Sequence, residues 1–360
     1  MKNAKKYDIL VSILRKKIRM VKKMEFFGLT LFGSLGGGAL MAVAAVIFVV
    51  GLVLVIKGGD WFVDSASWFA EATGIPKFVV GATVVSFATT LPELLVSVRA
   101  AMNGSAQLAI GNAIGSVTAN TTLIMGVSLV AMAGIVSRKS FSLKGGLLMA
   151  AVIGLTVLSL NGSLPTWSAY VLWAIFLIFM VSNLIEGKKA SANDEIDSYE
   201  KKEIPSKLLF FVIGTAAIVF GAEFLVSSGK TIASGIGISE TIIGFTVIAL
   251  GTSLPELVTT LTAIRKKEAS LSVGNIIGAN IIDTTLILPL CAVINKEALP
   301  VERVNLVFDF PVCILACAVA IVPTIIMGKF KKWQGFALLA IYVSYMALLV
   351  LNETGVVALG

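Results

Sequence analysis

The sequence predicts an all-α integral membrane protein of ten transmembrane helices, arranged as two inverted five-helix repeats. Three observations carry that prediction. The chain is 57% apolar and 14% charged, whereas soluble domains lie nearer half apolar and a quarter charged. Its apolar residues gather into ten runs, each able to cross about 30 Å of hydrocarbon at about 1.5 Å per residue. Its halves also repeat at an offset of 163 residues: GATVVSFATTLPEL (81–94) falls on GFTVIALGTSLPEL (244–257), and GNAIGSVTANTTLI (111–124) on GNIIGANIIDTTLI (274–287). Shared apolar bias does not produce matched Pro-Glu and Gly-Asn pairs, so the halves are related copies. Five is an odd number, so the second copy enters the membrane from the opposite face.

The elements follow in order. Residues 1–39 form a basic arm and the start of the first apolar run, with Lys2, Lys5, Lys6, Arg15, Lys16, Lys17, Arg19, Lys22 and Lys23 facing only Asp8 and Glu25. The arm resembles the charged and apolar regions of a signal peptide, but the apolar run continues to Ile56 and reads as a full span. The first repeat, 40–185, holds spans at 40–56, 78–101, 106–135, 144–160 and 168–184, with the amphipathic GGDWFVDSASWFAEATG after the first. Residues 186–207 are the one long polar linker. The second repeat, 208–360, holds spans at 208–228, 241–264, 271–294, 305–327 and 333–351. Spans two, three, seven and eight are expected to be broken helices.

Lysine and arginine placement sets the orientation. The side bearing the linker and loops one-two, three-four, seven-eight and nine-ten holds about 16 of them and the other side about 4, so the first is the cytoplasmic side of a cell membrane. Both termini then lie outside, and the basic arm conflicts with this unless translation starts at Met20 or Met24 or the arm lies on the outer surface. The net charge of +8 sits in short loops and this arm, a pattern of membrane topology and anionic headgroups rather than nucleic-acid binding. Histidine is absent, which removes the commonest general base and transition-metal ligand. Cys291, Cys313 and Cys317 form no CxxC pair and read as small apolar fillers.

The chemistry lies in two acids inside spans. Glu93 follows Pro92 in FATTLPELLVS, and Glu256 follows Pro255 in LGTSLPELVTT. A carboxylate near the middle of a span costs about 2.5–3.5 kcal/mol on insertion scales, so a duplicated one implies a function. Proline gives no N–H to the carbonyl four residues back, which frees the carbonyls of Ala88 and Gly251. Thr89 and Thr90 precede Glu93 by four and three residues, placing their oxygens on its helical face, and Thr252 and Ser253 do the same for Glu256. Two such halves brought together give a ring of hard oxygens suited to Na⁺, Mg²⁺ or Ca²⁺. Asn120 and Asp283 share one repeat position with different charge, so the site has three carboxylates: Glu93, Glu256 and Asp283. Asn112 and Asn275 either glue helices or ligate. Asp60 and Glu223, also repeat-related, read as interfacial acids, and Asp309 has no acidic counterpart and is left open. An intramembrane aspartyl protease is disfavoured by the absence of a GxGD-type motif, so no enzyme is predicted.

The paired G-x-T-x-x-x-x-x-T-[ST]-L-P-E and G-N-x-I-G segments resemble the two α-repeats of the cation/calcium exchanger superfamily, most nearly its prokaryotic sodium/calcium exchangers. GGDWFV (58–63) and GAEFLV (221–226) resemble that group too. The resemblance spans residue 40 to the C-terminus and implies antiport of Ca²⁺ against Na⁺ by alternating access at one central site. It implies Ca²⁺ ligation by Glu93, Glu256 and the carbonyls of Thr89 and Thr252. Na⁺ ligation is implied for Glu93, Glu256, Thr90, Ser253, Ser116, the carbonyl of Ala249, Asn120 and Asp283. The first and sixth spans are expected to slide over the rest. Ca²⁺ and Na⁺ enter as transported ions, with no cofactor, no obligate protein partner and the lipid bilayer as surroundings. Four positions depart from the pattern: Ser86 replaces alanine, Ala88 glycine, Val117 a small or polar residue, and Ala279 a hydroxyl. Asp283 is also acidic in potassium-dependent relatives, and intramembrane carboxylates can exchange a cation for a proton, so the alternative is a K⁺- or H⁺-coupled exchanger of calcium or another divalent cation on the same fold.

Overall fold

The computed structural model describes residues 37–132, 134, 138–193, 201–236, 251–295, 298–353 and 356–358. Nearly all are helical: α1 (Gly37–Thr73), α2 (Lys77–Thr89), α3 (Leu91–Met102), α4 (Ala106–Ala131), α5 (Arg138–Ser159), α6 (Ser168–Asn193), α7 (Ile204–Gly235), α8 (Leu254–Arg265), α9 (Ala269–Ile294), α10 (Asn305–Met327) and α11 (Lys332–Glu353). A two-residue antiparallel ribbon, β1 (Ser163–Leu164) with β2 (Leu299–Pro300), joins the loops after α5 and α9. Among the described residues, eight helices are long and apolar enough to cross a membrane, and the bent pair α2–α3 brings the count to nine if it crosses as one span. The remaining expected span, 241–264, is described only from Gly251 on, and the basic arm lies outside the described residues except at its last three positions.

Burial separates a core from a periphery. Of the apolar windows of α4 and α9, 78% and 83% are buried, against 17% for α1. α9 carries glycines where another backbone presses on it, whereas Gly111 and Gly115 of α4 have open space beside them. Added Cβ atoms at Gly274 and Gly278 would strike the Phe78 and Ala82 carbonyls, and one at Gly81 would strike the Leu271 carbonyl. This contact of α9 with α2 is a small-residue helix packing.

α1 is longer than the first expected span. The amphipathic segment after Ile56 continues the same helix to Thr73. No proline interrupts it, and its Gly58 packs against the backbone of Gly214 on α7. α7 reciprocates: Gly51 meets Gly221 just as Gly58 meets Gly214. The acids of this extension are paired. Asp60 bonds to Arg265, Asp64 Oδ1 lies 2.6 Å from Lys266 Nζ, and Lys77 Nζ bridges Glu71 and Glu268 at 2.7 Å each. Asp60 is therefore held by basic side chains at the end of α8.

The expected breaks in spans three and eight are absent. α4 and α9 run through without interruption, each loosened by a π turn, Asn120–Ile124 and Asp283–Ile287. A π turn absorbs one extra residue without ending the helix. Here threonine hydroxyls satisfy its loosened carbonyls: Thr122 donates to Thr118 O at 2.6 Å and Thr285 to Ile281 O at 2.5 Å.

Candidate functional site

Pro92 and Pro255 do not interrupt helices from within; each is the second residue of a new one, where a missing N–H costs nothing. The break lies one step earlier. Thr90 (φ −81°, ψ 2°) starts α3, and Ser253 (φ −83°, ψ 5°) starts α8. Between α2 and α3 the chain bends by 48°. The near-identical angles show the same local sequence making the same break twice. Each break sends a glutamate from the first turn of its helix into the protein interior, where Glu93 and Glu256 are both fully buried.

The two breaks face each other and bond reciprocally. Thr90 Oγ1 lies 3.3 Å from Glu256 Oε1, and its repeat mate Ser253 Oγ lies 3.5 Å from Glu93 Oε1. Thr89 Oγ1 lies 3.1 Å from Asn275 Oδ1, and its mate Thr252 Oγ1 lies 3.1 Å from Asn112 Oδ1. Ser116 Oγ reaches Thr252 Oγ1 at 3.5 Å. Packing repeats the exchange: α3 rests on the π turn of α9, and α8 on that of α4. Asn120 and Asp283 are the first residues of those π turns and are buried to 1% and 0% exposure.

Oxygen outnumbers hydrogen here. Glu93 Oε2, Glu256 Oε2, both carboxylate oxygens of Asp283 and the whole amide of Asn120 are buried with no hydrogen-bond partner. Thr90 has one hydroxyl proton, and Ser86 O, at 2.6 Å, competes for it with Glu256. Buried carboxylates left without donors or countercharge cost several kcal/mol. A hard cation would satisfy such a set. Among the described residues no three acids converge as a ready-made metal cluster, so hydroxyl and carbonyl oxygens must complete any shell. Of the residues singled out from sequence, Thr89, Thr90, Glu93, Ser116, Thr252, Ser253 and Glu256 come together through these contacts, and Asn120 and Asp283 lie on the π turns beside them. Ala249 lies outside the described residues.

Against this geometry, similarity to known proteins is informative. The family model described as sodium/calcium exchanger protein matches residues 43–185 and 206–351. The chain belongs to that family. Sodium/calcium exchanger MaX1 of Methanosarcina acetivorans is 30% identical over 354 residues, covering 86% of this chain and 99% of the relative. Putative antiporter CaxA of Alkalimonas amylolytica is 31% identical, covering 86% and 99%. A solved structure of the sodium-calcium exchanger NCX_Mj, soaked with 2.5 mM Na⁺ and 10 mM Sr²⁺, aligns at a TM-score of 0.75 with 30% identity, covering 85% of this chain and 99% of that one. The chain is thus a multi-pass membrane protein of a transporter family, not an enzyme.

Within this exchanger-family chain, sequence reasoning missed two arrangements. Asn280 Nδ2 donates to Thr121 Oγ1 at 2.8 Å, tying α9 to α4. Asp309, in the π turn Asn305–Asp309 that opens α10, accepts from Asn305 Nδ2 at 2.7 Å and from Tyr345 Oη at 2.9 Å. Asp309, left open by the sequence, thus has two donors, as a buried acid requires. The departure at Ser86 is accommodated by donation from its hydroxyl to Thr83 O at 3.0 Å.

Proposed function

We propose that the chain is an antiporter exchanging Na⁺ for Ca²⁺ by alternating access at the paired helix breaks. One observation carries the reading: four of the six carboxylate oxygens of Glu93, Glu256 and Asp283 are buried without a partner, at a place where two halves of the chain bond to each other reciprocally. The relatives named as sodium/calcium exchangers, and the solved neighbour soaked with Na⁺ and Sr²⁺, support Na⁺ and Ca²⁺ as the substrates.

In this reading Glu93, Glu256 and the carbonyls of Thr89 and Thr252 hold Ca²⁺. Thr90, Ser253, Ser116, Asn120, Asp283 and the Ala249 carbonyl join the glutamates in holding Na⁺. The reciprocal bonding supports two inverted five-span repeats, with residues 241–264 as the tenth membrane crossing. α1 and α7, locked together by glycines and little buried elsewhere, form the body that slides past the core. The lysine-rich loops face the cytoplasm and the termini the outside.

The test is calcium uptake into proteoliposomes driven by an outward Na⁺ gradient. Uptake that requires Na⁺, and persists without K⁺ or a pH gradient, is expected. Uptake driven equally by a proton gradient in the absence of Na⁺ would replace Na⁺ coupling by H⁺ coupling. Asp283, acidic where its repeat mate is Asn120, motivates a second arm with K⁺ on the Na⁺ side; a requirement for K⁺ would make that ion a co-substrate.

A further inference from the structure

Two amides outside the proposed ligand set span the two halves of the site. Asn112 lies on α4 one turn before Ser116, and Asn275 lies on α9 one turn before Ala279. Asn112 Oδ1 accepts from Thr252 Oγ1 at 3.1 Å, and its Nδ2 donates to the Glu93 carbonyl at 3.3 Å and to Ser97 Oγ at 2.9 Å. An asparagine amide has two N–H donors and a carbonyl oxygen with two lone pairs, so both donors and one lone pair are engaged within the protein. A side chain used in this way holds other groups in place and has little left to offer an ion.

Asn275 is built as the counterpart but does half as much. Its Oδ1 accepts from Thr89 Oγ1 at 3.1 Å, while its Nδ2 is buried without a partner. Thr260, the repeat mate of Ser97, also keeps a buried hydroxyl without a partner. The first half therefore has a closed brace from α4 to both helix breaks, and the second half an open one.

We infer that Asn112 is the positioning residue that fixes the spacing of the two glutamates, because among the described residues it alone holds the main chain of Glu93 and the break residue Thr252 together. Thr252 directly precedes Ser253, whose hydroxyl reaches Glu93. Releasing Thr252 therefore loosens both the proposed carbonyl ligand and the neighbouring hydroxyl. Asn275 plays the same part more weakly. The inference rests on the exchange reading above.

The test uses the full chain in proteoliposomes, with Na⁺-gradient-driven calcium uptake resolved into KM and Vmax. Asn112→Ala is expected to raise the KM for Ca²⁺ about ten-fold and Asn275→Ala about three-fold, in line with the number of buried hydrogen bonds each loses. In a double-mutant cycle, Thr252→Val should add less than about two-fold once Asn112 is alanine, since the two report one interaction. A general packing role would lower Vmax and thermal stability and leave KM alone. An unchanged KM in Asn112→Ala, a larger effect at Asn275, or additivity in the cycle overturns the inference. Should Asn112→Ala fail to reach the membrane, Thr252→Val against Thr89→Val decides: it keeps both main chains, and a larger KM rise at Thr252 is expected. An equal or smaller rise there overturns the inference. Absence of uptake by the wild-type chain would sink the exchange reading itself, whereas wild-type uptake with an unaltered mutant KM sinks the brace alone.

Discussion

Replacing Gly278 by alanine perturbs the packing that sets the depth of Asp283. A Cβ at this position would stand 2.5 Å from the Ala82 carbonyl oxygen and 2.5 Å from Ser86 Oγ. Ordinary carbon–oxygen contact needs more than 3 Å, so α9 must move off α2 by about 0.5–1 Å, at a cost of about 1–3 kcal/mol. Gly278 lies five residues before Asp283 on the same helix, so the shift reaches the acid. The assay pairs thermal unfolding in detergent with the calcium KM in proteoliposomes. Both are expected to worsen. Ser86→Ala in the Gly278→Ala background removes only the side-chain clash and leaves the Ala82 carbonyl, so it should recover less than half of the loss. Gly146→Ala is the control: that glycine is exposed, with open space around an added Cβ, and should leave both readings unchanged or stability slightly raised. A Gly278→Ala protein that melts and transports as wild type would refute the packing argument.

Further expectations concern buried polar groups. Lys144 is fully buried, 2.9 Å from Glu186 and 4.7 Å from the centroid of the Phe78 ring. Glu186→Gln should cost about 1–3 kcal/mol by stranding the ammonium, while Lys144→Met should cost less than about 1 kcal/mol, because Glu186 is 30% exposed and regains water. Thermal unfolding of both variants checks the order, and the reverse order would contradict it. Tyr345→Phe removes one of the two donors to Asp309 and is expected to lower stability by about 1–2 kcal/mol, with the KM for Ca²⁺ unchanged; a shifted KM would connect Asp309 to the transport site. Asp283→Asn should reduce calcium flux at least about ten-fold by removing a carboxylate from a site of low dielectric, and more than Asn120→Ala does.

Much of this architecture is legible in the sequence because its determinants are local. The TLPEL and SLPEL segments contain both the break and the acid, and the break angles at Thr90 and Ser253 agree to within a few degrees. Composition and run length place most spans for the same reason. Failures occur where tertiary packing decides. The amphipathic stretch after Ile56 looks like a loop because it carries Asp60, Asp64 and Glu71, yet Asp60 and Asp64 pair with the distant Arg265 and Lys266, Glu71 pairs with nearby Lys77, and α1 continues. Spans three and eight look breakable because they are glycine-rich, but Gly274 and Gly278 of span eight serve close helix contact, and threonine back-bonding keeps both helices intact through their π turns. The role of Asn112 was ambiguous because an amide glues and ligates with the same atoms. Only its three partners, two on α3 and one at the break before α8, separate the possibilities.

The central claim is that Glu93 and Glu256 together form one cation site. It is tested most directly by Na⁺-gradient-driven calcium uptake with Glu93→Gln and Glu256→Gln, each purified and reconstituted beside the wild type. Each substitution alone is expected to abolish uptake, because each leaves the facing half unable to neutralise a divalent ion. Wild-type-like uptake in both variants would contradict it.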